Sequence, residues 1–357
     1  MKRIAVAMAL LFVLVSVPRA RATSDPLGSG TTRLAFEKSF LAFLRRDKVK
    51  LSTTSPAALK GKVASFPVSG GLIDPTIGRG TIETEGSIVF ANARGRIPLR
   101  AITVKTDHSP LIAKVGGSQL KLATSAKIAS KREGFGSGFQ AKQLKLTAKV
   151  ATRLNKKLRP RVPFAAGQAI GSTASATQPQ TVTVLAQNKA TIAFDPAFVS
   201  KLLALPVPVA LNPVFPAEHE GASFTFPIIV GSAIAPDASQ GTIRTGGEVE
   251  LLALGAGQIF WHEQWLAPDD GVDLAEVNLQ PAPPFGGKQA QAPLFSLSMA
   301  GAQVASDPVA RTVAISGTSL ALEPAAAAQM NELFAQGKAV FAASEAIGSF
   351  SVTAQGQ

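Results

Sequence analysis

The sequence predicts a mainly β protein: two tandem homologous domains, each β-rich and sandwich-like with one or two short helices. Three observations predict it. Phe66 to Gly86 (FPVSGGLIDPTIGRGTIETEG) returns as Phe226 to Gly247 (FPIIVGSAIAPDASQGTIRTGG). Three further blocks recur in the same order at offsets of roughly 160 to 177 residues, a period too long for a solenoid repeat. Between them lie short segments alternating apolar and polar residues and punctuated by Gly and Pro, the pattern of half-buried strands joined by turns.

Met1-Lys2-Arg3, the apolar run Ile4 to Val17 and Ala20-Arg21-Ala22 have the order of a secretory signal peptide, expected over residues 1–22. This fourteen-residue run falls short of the ~20 apolar residues that span a bilayer. The chain has no Cys, which excludes disulfides, thiolate metal sites and Cys nucleophiles. An exported, soluble mature chain follows, with a first domain over 31–180 and a second over 181–357.

Thr23 to Thr32 reads as a polar lead-in. Leu34 to Leu44 reads as a strand turning into a helix, with Phe36, Phe40, Phe43 and Leu44 at helical spacing as core. Lys50 to Lys62 is loop-like. In the repeated stretch Thr81, Glu83 and Glu85 alternate with Ile82 and Thr84, a strand with one wet face. Ser87 to Val104 gives two strands around a turn at Asn92 to Gly95, and Leu111 to Val115 another. Leu144 to Leu146 feeds Thr147, an expected N-cap, and a helix to Leu158 buried through Val150, Ala151, Leu154 and Leu158. Its copy runs from Pro324, well placed at the first helical position, to Phe334. Lys156, Lys157, Arg159 and Arg161 suit a solvated helix C-terminus. Residues 171–190 hold the domain junction, with Gln178-Pro179-Gln180 as its hinge. Longer insertions are expected at Gln258 to Ala267 and Gln280 to Pro293.

The formal charge of +13 falls to about +9 once the leader is removed, and it is unevenly spread. Residues 31–160 carry 25 Lys and Arg against 7 Asp and Glu, whereas 185–357 carry 6 against 15. Either the oppositely charged domains attract each other, or the basic domain sits on an anionic cell-wall polymer or membrane surface. Nucleic acid is set aside: an exported chain rarely meets it, and the first domain's Phe residues lie in core-like contexts.

Chemistry-bearing motifs are sparse. His108, His219 and His262 do not pair at metal-ligand spacing, and no GxSxG, Walker or GxGxxG signature occurs. Asp269-Asp270-Gly271-Val272-Asp273 lacks the later Glu of a calcium loop and reads as a solvated turn. Trp261 and Trp265 flank His262, a combination that serves either as a flat aromatic ligand site or as packing with a surface His. No nucleophile, base and orienter set emerges, so the chain reads as non-enzymatic.

Certain motifs carry a resemblance. Phe36-Glu37-Lys38-Ser39-Phe40-Leu41-Ala42-Phe43 opens the first repeat, Gly80-Thr81-Ile82 to Phe90 forms its strand pair, and Leu154-Asn155 with Ala166-Gly167 to Ile170-Gly171 closes it. This order resembles the HtaA-type domain of actinobacterial cell-surface and secreted proteins, in two copies. The resemblance implies a cell-surface binding or structural role with haem as a cofactor in some members, held by a Tyr of the opening segment helped by a His near the strand turn. Here the Tyr position carries Phe43 in the first copy and lies near Lys201 in the second, the His position falls on Ala93 and Leu254, and the chain contains no Tyr. Phe offers no oxygen to iron, so the implied ligation has no donor here. The expectation is no cofactor; the alternative is haem held by His262 or His108.

Overall fold

The computed structural model describes residues 24–107, 111–115, 117–186, 188–255, 257–267, 272–280 and 288–357, with backbone alone for those between 262 and 294. The leader over 1–22, His108, Asp269, Asp270 and residues 281–287 lie outside the described residues.

The first half contains β1 (Asp25–Phe36), α1 (Lys38–Arg46), β2 (Lys50–Thr54), β3 (Ala58–Lys60), β4 (Val63–Asp74), β5 (Arg79–Thr84) and β6 (Ser87–Asn92). It continues with β7 (Gly95–Lys105), β8 (Leu111–Val115), β9 (Ser118–Thr124), β10 (Lys127–Glu133), β11 (Gly136–Leu146), α2 (Ala148–Leu158) and β12 (Ala169–Pro179). Its sheet closes on itself: β1 pairs with β4, then follow β5, β7, β8, β9, β11 and β12, which returns to β1, every pair antiparallel. The sandwich-like packing thus takes the form of a barrel-like sheet curled around one core, which leaves no free edge in the ring. The β2–β6 pair extends outward from the first part of β7.

The second half repeats the plan. It contains β13 (Val182–Thr183), β14 (Lys189–Phe194), α3 (Pro196–Leu203), β15 (Val209–Val214), β16 (Glu218–Glu220), β17 (Ser223–Pro227), β18 (Ala233–Ile234) and β19 (Gly241–Arg244). Then come β20 (Glu248–Ala253), β21 (Gly257–Ala267), β22 (Val272–Gln280), β23 (Lys288–Ser298), β24 (Gln303–Asp307), β25 (Thr312–Leu322), α4 (Pro324–Phe334) and β26 (Ala346–Gln355). The β14–β26 pairing matches β1–β12, and the β17-to-β19 contact closes through the bridge between Ile228 and Thr245.

Both repeats keep glycine where backbones touch. At Gly171 and Gly348 a Cβ would stand 1.9 and 2.2 Å from the carbonyl oxygens of Ala35 and Ala193. Gly86 and Gly247 adopt φ of +92° and +93°, which L side chains rarely reach.

Each half has its own apolar core. In the first, α1 buries Phe40 and Leu44, and α2 buries Val150, Ala151, Leu154 and Leu158. Burial of one such side chain stabilises by about 1.5–3 kcal/mol. Trp261, at 1 % exposure, packs edge-on against Phe295 at 4.9 Å in the second core.

Several elements differ from the sequence reading. The polar lead-in is the first part of β1, and Lys50 to Lys62 holds β2 and β3. Gln258 to Ala267 is strand β21 rather than an insertion, and its register against β22 shifts between His262 and Trp265. Thr147 stands at the N-cap, but its hydroxyl donates to the Lys121 carbonyl and makes no cap bond. The Gln178-Pro179-Gln180 tripeptide is held: the first two residues end β12's pairing with β1, and the Gln180 amide donates to the Pro26 carbonyl at 2.7 Å. Beside it Arg311 Nη2 donates to Asp25 Oδ2 at 2.7 Å, with 1 and 4 % of the side chains exposed, and Asp25 Oδ1 accepts from the Thr183 amide at 3.0 Å. Arg132 lies near this pair; burial lowers its pKa, the Arg311 charge adds to that, and Asp25 opposes it.

Candidate functional site

Alternation along β7 sends Ile97 and Leu99 into the core, at 6 and 0 % exposure, and leaves Arg96, Pro98 and Arg100 on the outer face. The β6–β7 turn is pinned to the end of α2. Asn92 Nδ2 donates to the Leu158 carbonyl at 2.8 Å and Arg94 to that of Arg159, satisfying carbonyls that a helix end leaves open. Gly95 lies so close that a Cβ there would stand 2.6 Å from the Lys157 carbonyl oxygen.

This junction sets α2 alongside β7 and β8 and leaves a groove of about 610 Å³ between them. Arg96, Arg100, Lys114, Arg153, Lys156 and Lys157 line it; all six are exposed, and no lining residue is acidic. Pro98, on the outer face, is its part-exposed apolar residue, and the buried Ile97 and Val115 border it. A second hollow of about 450 Å³, lined by Thr54, Ser87, Arg96, Pro98 and Arg100, adjoins it through the three shared residues. Pairing places Thr54, Ser87, Arg100 and Lys114 in one row across β2, β6, β7 and β8. At ~4.8 Å per strand that row is roughly 14 Å long. The helix-end lysines, expected to be simply solvated, form one wall of this groove.

The cations belong to the first copy only. Equivalent strand pairings put Gln258, His262 and Glu276 where the first half has Arg96, Arg100 and Lys114. Aligning Met330 with Leu154 puts Gln329, Glu332 and Leu333 where it has Arg153, Lys156 and Lys157. His262 therefore occupies the register position of Arg100, on β21 opposite Glu276.

At the position aligned with the family tyrosine, Phe43 is half-buried against Phe164 at 5.1 Å, within a cluster completed by Phe36, Phe40 and Phe90. In the second copy Lys201 takes that place, over the Phe341 ring at 5.8 Å and paired with Glu345. The loops bearing Phe164 and Phe341 are fastened alike. Asn155 donates to and accepts from the Phe164 backbone at 2.9 and 2.7 Å, and Asn331 does so with Phe341 at 2.7 Å for each bond. The shared Asn is thus a latch that holds an aromatic ring over the helix of the opening segment. Ala93 is exposed in the turn at the end of α2 and Leu254 is exposed after β20. Among the described residues no group of three His, Cys, Asp or Glu stands close enough to hold a metal ion.

His108 is outside the described residues, and the His262 side chain is not described. Sequence reasoning missed the groove because its six cations come from three places along the chain: Arg96 and Arg100 on β7, Lys114 on β8, and Arg153, Lys156 and Lys157 on α2.

No family model and no curated protein matches the chain. Solved structures similar to it include two domains of one protein. The N-terminal domain of HtaA from Corynebacterium glutamicum has 16% identity and a TM-score of 0.36, covering 48% of this chain and 98% of that one. The C-terminal domain of the same protein has 14% identity and a TM-score of 0.34, covering 43% and 99%. Each match is to a single domain, spanned almost whole by about half of this chain.

Proposed function

We propose that this chain is an exported, non-catalytic binding protein of two domains, 31–180 and 181–357, whose first domain seats it on an anionic polymer or surface of the cell envelope. The leader over 1–22 supports export. The observation that carries the reading is the acid-free groove of six cations. Six like charges on one face of a fold repel one another even in water, by about 0.6 kcal/mol for each pair ~7 Å apart. An anionic ligand relieves that repulsion and adds charge-assisted hydrogen bonds from Arg96 and Arg100.

The second copy of the fold has the same strands and helix but Gln, His, Glu and Leu at these positions, without a Lys or Arg among them, so the cations are not required by the architecture. We propose that the second domain contributes packing, and that neither domain holds haem at the family position, where Phe43 and Lys201 are engaged.

Co-sedimentation of the full chain with isolated anionic cell-wall material tests the reading. Binding is expected at 50 mM salt and should weaken at least about tenfold by 500 mM, because exposed ion contacts are screened over a Debye length of ~10 Å or less. Absence from the pellet at low salt would remove the proposal.

A further inference from the structure

Resting on that reading, we infer that the groove takes a linear, phosphate-bearing polymer that spans both hollows, rather than an isolated anion or a flat lipid surface. Arg96, Pro98 and Arg100 line both hollows, which therefore lie side by side, with Thr54 and Ser87 at one end and Lys156 and Lys157 at the other. The outer hollow holds the Thr54 and Ser87 hydroxyls, hydrogen-bonded to each other at 2.6 Å, beside Arg96 and Arg100, and the inner one adds Lys114, Arg153, Lys156 and Lys157. Arg96 and Arg100 are four residues apart on one face of a strand, about 14 Å at ~3.4 Å per residue. A single phosphate cannot engage both ends of a cleft this long, whereas a chain can meet the cations in turn.

Two competitors fit less well. No aromatic side chain lines either hollow, so nothing there stacks on the bases of a single-stranded nucleic acid. Of the exposed large apolar residues of the first half, Leu72, Ile77 and Val162, none borders the groove to enter a lipid surface.

Titration calorimetry of the full chain with orthophosphate, tripolyphosphate and long-chain linear polyphosphate tests the inference, with anionic phospholipid vesicles and an oligothymidine as further arms. Affinity should rise at least about a hundredfold from orthophosphate to the long chain, as linked contacts add. Thr54→Glu places a carboxylate at the outer hollow; it should weaken long-chain binding about tenfold and tripolyphosphate binding by less than about threefold. Lys114→Ser/Lys156→Ser should weaken both. Equal affinity for orthophosphate and the long chain would overturn the inference in the wild-type protein alone, whatever the variants do. So would vesicles or oligothymidine bound more tightly than polyphosphate. If wall material is bound but chain length has no effect, only this inference falls; if no polyanion is bound, the proposed function falls with it.

Discussion

Replacing Asn155 or Asn331 by Ala unfastens the aromatic loop in one domain at a time, and the structure sets the size of each effect. Asn155 makes two hydrogen bonds with the Phe164 backbone, whereas Asn331 makes two with Phe341 and a third, accepted from the Val340 amide at 2.8 Å. A net hydrogen bond contributes about 1 kcal/mol, and stranded backbone groups add to the loss. Asn155→Ala should therefore cost about 2 kcal/mol and Asn331→Ala about 3 kcal/mol. Phe164 and Phe341, each 3 % exposed, would also lose the constraint that keeps them in the core. Urea denaturation followed by two probes separates the halves. Both tryptophans, Trp261 and Trp265, are in the second half, so fluorescence reports that half and far-ultraviolet dichroism the sum. Asn331→Ala should lower the fluorescence midpoint, and Asn155→Ala should shift only the remaining part of the dichroism transition. A cost below about 0.5 kcal/mol in both variants would refute the latch, and a large effect in only one would refute the equivalence of the two copies.

Other substitutions probe neighbouring parts of the account. Asp25→Ala leaves the Arg311 guanidinium buried and unpaired and should cost about 3–5 kcal/mol in thermal or urea unfolding, while Asp25→Leu/Arg311→Met should recover most of it; an equal loss in both would argue against the ion pair. Gly171→Ala drives a Cβ to 1.9 Å from the Ala35 oxygen and should reduce folded yield severely, whereas Gly117→Ala, with nothing within 4 Å, should cost only about 1–2 kcal/mol for its positive φ, measured by urea midpoint. Phe43→Tyr supplies the missing phenol but leaves Phe164 packed at 5.1 Å, so a haem titration should show no saturable Soret shift beyond that of the wild-type protein; a shift specific to the variant would mean that the aromatic cluster opens.

Apolar periodicity made part of the fold legible. Phe40 and Leu44 marked α1, Val150, Ala151, Leu154 and Leu158 marked α2, and Ile82 and Thr84 alternated inward along β5. The first residues of β1 and most of β12 were misread because their inward positions are small and polar. Thr32, Thr173, Ser175 and Thr177 are all nearly fully buried, with the Thr32 and Ser175 hydroxyls 2.8 Å apart, so closure of the barrel there leaves no apolar signature. The repeated glycines were visible, but not their cause, since the backbone oxygens they make room for belong to strands distant in sequence. The charge imbalance pointed to the first half without locating a site, because the cations meet only after β7 and β8 pair and Asn92 fixes the end of α2.

Lysine acetylation footprinting of the full chain, with and without long-chain polyphosphate, tests the anion seat most directly. Protection of Lys114, Lys156 and Lys157, with Lys142 and Lys338 reacting as before, is the predicted result. Equal protection of all five, or protection confined to Lys142 or Lys338, would contradict it.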